Sequence, residues 1–85
     1  MRTIEQEIRQ FIIDNFLFGE KNYQLANDDS FLEQGIIDST GVLELVMFVE
    51  TTYGINIADN ELIPANLDSV NNLVRFIDQK TWVSA

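Results

Sequence analysis

The sequence predicts an all-α fold, a small four-helix bundle of three long helices and one short one. Three observations predict it. Apolar residues recur at three- and four-residue spacing in three separate stretches. Residues with capping chemistry stand ahead of those stretches, and glycines stand behind two of them. No stretch alternates apolar and polar residues as a half-buried strand would. At 85 residues the chain has room for one domain, expected over residues 1–81, with 82–85 as a short C-terminal tail.

The first helix is expected over about residues 3–17. Ile4, Ile8, Phe11, Ile12 and Phe16 make its apolar stripe, Thr3 its N-cap and Gly19 its stop. A polar stretch from Glu20 to Asp29 follows, a long loop for so small a domain. Ser30 and Glu33 have the spacing of a capping box, so one helical turn is expected there, ended by Gly35. The second helix starts from the capping residues Asp38, Ser39 and Thr40, carries an apolar segment from Val42 to Tyr53, and stops at Gly54. Between Asn56 and Leu67 a further short turn is expected, with Asp59, Asn60 and Glu61 at its N-terminal end and Pro64 limiting its far end. Asp68 or Ser69 then caps a last helix, whose buried stripe is Val70, Leu73, Val74 and Ile77.

Composition excludes several kinds of chemistry. There is no Cys, hence no disulfide, thiolate nucleophile or zinc-thiolate site, and no His, hence no Ser-His dyad or His-ligated metal. Neither a catalytic residue nor a resident metal is expected. Five Lys and Arg stand against 14 Asp and Glu, a formal charge of −9. Such a surface repels nucleic acid and anionic membranes and suits a basic protein partner. No apolar run spans a bilayer and the N-terminus does not read as a signal peptide, so a cytoplasmic monomer is expected.

The second helix holds more apolar residues than one core face needs. On a helical wheel Val42, Leu45, Val46, Val49 and Tyr53 share the core arc, while Thr40, Glu44, Met47 and Thr51 lie opposite, flanked by Leu43 and Phe48. Two readings follow. Leu43 and Phe48 pack under the long loop, or Leu43, Met47 and Phe48, with Thr40 and the acids Glu44 and Glu50, form a docking face for a basic-rimmed partner.

Ser39 also has two readings. It is an N-cap, a role that Asp38 and Thr40 can fill as well, or it is a point of covalent attachment. It is no hydrolase nucleophile: the chain has no His to activate it, and its flanks are not G-x-S-x-G. A phosphate ester there would meet free amides and the positive end of a helix dipole, and Asp38 would help hold a divalent cation during transfer.

The segment F-L-E-Q-G-I-I-D-S-T-G-V-L-E-L-V-M-F-V-E resembles the attachment segment of the acyl carrier protein family, which includes peptidyl carrier domains. Gly35, Asp38, Ser39, Glu44 and Leu45 match its pattern. I-N-I-A-D-N-E-L and D-S-V-N-N-L-V-R-F-I match its third and fourth helices, so the resemblance covers essentially the whole chain. It implies an acyl-carrier-like bundle whose Ser39 bears 4′-phosphopantetheine taken from coenzyme A, with Mg²⁺ needed only during transfer. It implies as partners a phosphopantetheinyl transferase, an adenylating or acyltransferring loading enzyme, and downstream acyl-processing enzymes. Fatty-acid carriers commonly have Leu and then Asp after the serine, and acids closing the second helix. This chain has Thr40 and Gly41, and Glu50 is followed by Thr51 and Thr52. These departures point to acyl or aminoacyl intermediates of polyketide, nonribosomal-peptide or related specialised biosynthesis. A fatty-acid-synthesis carrier and a D-alanyl carrier are the alternatives. An unmodified acidic interaction bundle and an acidic inhibitor are the more distant ones.

Overall fold

The computed structural model describes residues 3–17 and 24–84, the last three of these by backbone alone. The described residues hold α1 (Ile4–Asn15), α2 (Ser39–Tyr53), a 3-10 turn (Asp59–Glu61), α3 (Pro64–Leu67) and α4 (Val70–Ser84), and no strand. This is the expected all-helical bundle, with α1, α2 and α4 long.

Local chemistry explains the ends. Thr3 makes both bonds of a capping box: its hydroxyl accepts from the Gln6 amide at 3.1 Å, and its own amide donates to Gln6 Oε1 at 3.0 Å. α1 ends at Asn15, before Gly19, which lies outside the described residues. Asn15 draws its amide side chain back to the Phe11 carbonyl at 2.9 Å. The turn expected after Ser30 forms: Ser30 Oγ accepts from the Glu33 amide at 3.1 Å, and Gly35 closes it at φ 70°. That angle favours glycine because it has no Cβ to clash. Gly54 ends α2 at φ 65°, with its amide donating to the Glu50 carbonyl.

Pro64 acts differently from expectation. It opens α3 as its first residue instead of limiting the turn before it. Its fixed φ suits that position, and the missing N–H would have had no helical partner there. The 3-10 turn ahead of it is fastened to α4 by Lys80, which pairs with Glu61 at 2.9 Å. Lys80 and the Ala58 amide hold the Glu61 carboxyl below its ordinary range. Ser69 caps α4 by accepting from the Asn72 amide, and α4 continues through 82–84, three of the four residues expected as a tail.

The core runs along α4, which packs on α1, α2 and α3. Val70, Leu73 and Ile77 are fully buried as expected; Val74 is only partly buried, and Phe76 takes its place in the stripe. They meet Ile8 and Ile12 of α1 and Leu45 and Val49 of α2 in one cluster. The long connection between α1 and α2 joins the core as well, through Leu25, Phe31, Ile36 and Ile37. Arg9 holds that connection, donating to the Leu25 carbonyl at 2.6 Å and to Asn27 Oδ1 at 2.7 Å.

Candidate functional site

α1 and α2 meet along an antiparallel seam. Tyr53 donates its hydroxyl to Glu7 Oε1 at 3.0 Å, Phe11 stacks on Phe48 with ring centroids 4.0 Å apart, and Phe16 reaches Gly41. Burial, then the neighbouring Glu7 carboxylate, raises the Tyr53 phenol well above its ordinary value. At the far end of the seam, a Cβ on Gly41 would lie 2.8 Å from Phe16 Cε1 and 3.0 Å from Ile37 Cγ2. The glycine two residues after Ser39 thus lets α1 and the 36–37 segment close on the first turn of α2.

The start of α2 divides its work between neighbours. Asp38 is the N-cap, and its Oδ1 accepts from the Gly41 amide at 2.7 Å. Ser39 is the first helical residue, exposed, and its hydroxyl makes no hydrogen bond to any described residue. Of the two sequence readings of Ser39, the capping role therefore falls to Asp38. The amides of Ser39 and Thr40 precede the helical ladder and present the positive end of the helix beside the free hydroxyl.

The residues expected on the docking face separate into two groups. Thr40, Leu43, Glu44 and Met47 are exposed, with Leu43 at 58% and Met47 at 66% of full accessibility. Phe48 turns instead into the seam, where it packs on α1. Glu50 is half-buried, and its Oε2 accepts from the Ile57 amide at 2.9 Å, tying α2 to the segment after it. Sequence reasoning missed that bond, the Phe16–Gly41 contact and a role for Asp68 beyond capping. Beside the start of α2, Phe31, Ile37, Val42, Leu45, Ile63 and Leu67 line an apolar crevice of about 80 Å³.

No protein-family model matches the chain. The acyl carrier protein of Akkermansia muciniphila is 31% identical over 77 residues, 91% of either chain. That of Buchnera aphidicola subsp. Acyrthosiphon pisum is 30% identical over 80 residues, 94% of this chain and 95% of the relative. The chain belongs to the acyl carrier protein family. A probable acyl carrier protein of a Serratia species, PigG, is 29% identical over 76 residues, 89% of this chain and 86% of the relative. As an acyl carrier protein the chain serves as a carrier and not as a catalyst, and the prosthetic group of its family is 4′-phosphopantetheine. No helix among the described residues is long and apolar enough to cross a membrane.

Proposed function

We propose that Ser39 is the attachment point of 4′-phosphopantetheine and that the protein holds short acyl or aminoacyl groups on this arm. The observation that carries the proposal is an exposed serine hydroxyl, without a hydrogen bond to any described residue, at the first position of α2, with Asp38 doing the capping. The fit is chemical: a phosphodiester on Ser39 Oγ would sit beside unpaired amides at a helix N-terminus. Asp38 keeps its second carboxylate oxygen for a divalent cation during transfer.

The transfer balances with coenzyme A as the donor. Ser39 Oγ forms a bond to the phosphorus bearing the pantetheine, the phosphoanhydride breaks, and adenosine 3′,5′-bisphosphate leaves. The hydroxyl proton goes to a base of the transferase, since this chain has no His. The arm supplies a thiol that carries cargo as a thioester. The chain itself supplies the docking face of Thr40, Leu43, Glu44 and Met47, and the acidic field that draws basic partners toward it. Those partners are the transferase, a loading enzyme and downstream acyl-processing enzymes.

A short cargo, and with it a place in specialised biosynthesis, is supported by the crevice volume. About 80 Å³ is roughly half the volume of the ~150 Å³ apolar cavity that takes up one benzene. A long chain would have to part the core to enter, at the expense of packing contacts. The test of Ser39 is peptide mass spectrometry after incubation with coenzyme A and a broad-specificity transferase. Wild type should gain the arm on the Ser39 peptide and Ser39→Ala should gain none; a Ser39→Ala protein that is still modified overturns the assignment.

A further inference from the structure

The apolar crevice beside α2 is walled by elements that cannot hold themselves in place. One wall is Phe31 and Leu32, in the connection before α2; another is Ile63, Pro64 and Leu67, on and around the four-residue α3. A helix of one turn has too few hydrogen bonds to stand alone, and a loop has no ladder at all. Phe31 and Leu67 anchor the two walls in the core, whereas Leu32 and Ile63 beside them are nearly half exposed.

Asp68 joins these two walls. It follows α3 directly and, among the described residues, is the one charged side chain lining the crevice. Its Oδ2 accepts the Ser30 hydroxyl, its Oδ1 accepts the Leu32 amide at 3.0 Å, and its carbonyl accepts the Phe31 amide at 2.9 Å. Three bonds from one residue therefore clamp the turn carrying Phe31 and Leu32 to the end of α3, across more than thirty residues of chain. Two of them go to a carboxylate, the stronger kind.

We propose that Asp68, with Ser30 as its partner, is a positioning residue that limits how far the crevice opens and so the length of apolar chain the carrier can shelter. The inference rests on the reading of Ser39, because Val42, at the crevice, lies one turn along α2 from it. With the clamp closed the space admits the first few carbons of a chain. With it released, the 30–33 turn and α3 keep the packing of Phe31 and Leu67 in the core but lose the link between them, so they can part further.

The test uses free 1-octanol, so its outcome does not depend on whether Ser39 accepts an arm, which mass spectrometry reads separately. Octanol is titrated into wild type, Ser30→Ala, Ser30→Thr, Asp68→Ala and Tyr53→Phe while the ¹³C-methyl shifts of Val42, Leu45 and Leu67 are followed. Binding should be several-fold tighter in Ser30→Ala and Asp68→Ala than in wild type. Ser30→Thr, which keeps the hydroxyl, should return to the wild-type value. Tyr53→Phe loosens the distant α1–α2 seam and should leave octanol binding unchanged, which separates release of the clamp from general loosening. Should Asp68→Ala fail to fold, Ser30→Ala decides. Unchanged or undetectable binding in the clamp variants, or an equal gain in Tyr53→Phe, overturns the proposal.

Discussion

Gly41 shows how one missing methyl sets a contact between helices. An alanine there gains helix propensity, at most about 1 kcal/mol and less in a first turn. Against this, its Cβ would press into the Phe16 ring at 2.8 Å, an overpacking that costs about 1–3 kcal/mol. Gly41→Ala should therefore lower stability by about 1 kcal/mol in urea unfolding, and the loss should shrink when Phe16→Leu removes the ring. A stabilised Gly41→Ala would mean that the seam yields freely. Tyr53 offers a second expectation, in pH. Its phenol titrates higher in the folded state than the ordinary value near 10, so above that pH the unfolded chain loses the proton first. The stability this group contributes is full below pH 10 and is lost as pH rises further. Urea unfolding between pH 8 and 11 should show wild type losing stability above pH 10 more steeply than Tyr53→Phe; parallel curves would mean that neither burial nor Glu7 raises the Tyr53 phenol in the folded state.

α2 joins two roles in one element, and its charges differ accordingly. Glu44 is exposed, whereas Glu50 spends its carboxylate on the Ile57 amide. Glu44→Lys should slow loading by a basic-rimmed partner and flatten its salt dependence, with stability held within ~0.5 kcal/mol. Glu50→Lys should instead cost about 1 kcal/mol or more, because it strips a hydrogen bond to a charged acceptor. Stopped-flow loading and urea unfolding on the pair check both; a Glu44→Lys variant loading at the wild-type rate would remove Glu44 from the docking face. The contrast marks what the sequence could reveal. Thr3, Gly35 and Gly54 were legible because caps and left-handed turns depend on residues within four positions, whereas Asp38 was legible only as one of three capping candidates. The arc of Leu45 and Val49 was legible from periodicity. Phe48 was not assignable to core or surface, since its wheel position borders both and only the place of Phe11 decides. Pro64 was ambiguous because proline ends one turn or begins the next with the same φ. Asp68 looked like a cap, and its bonds to Ser30 and Leu32 join positions far apart in sequence. Ser39 stood out through its neighbours, but that it is free to be modified follows only once Asp38 is seen to cap the helix.

At the scale of the molecule, charge acts on folding and on encounter in opposite directions. The chain carries −9 within a radius of gyration of 12.2 Å, comparable to the ~10 Å Debye length at 0.1 M salt. That charge is already net of the five Lys and Arg. Arg9 spends its guanidinium on a carbonyl and an amide oxygen, Arg75 bonds Asn72, and Lys80 pairs with Glu61 at the surface, where such a pair contributes about 0–1 kcal/mol. Folding draws the remaining acids together, so their repulsion opposes the compact state. Raising salt from ~0.01 M to ~0.15 M shortens the screening length from ~30 Å to ~8 Å and should relieve part of that repulsion. Relief of about 1 kcal/mol would raise Tm by about 4–8 °C in a domain of this size. The same screening weakens the attraction of a basic partner, so loading rates should fall over the same range. Thermal melts and loading kinetics in one salt series check both halves. A Tm that stays flat would show the acids too far apart to oppose folding. A loading rate that rises with salt would show that the acidic field does not guide the encounter.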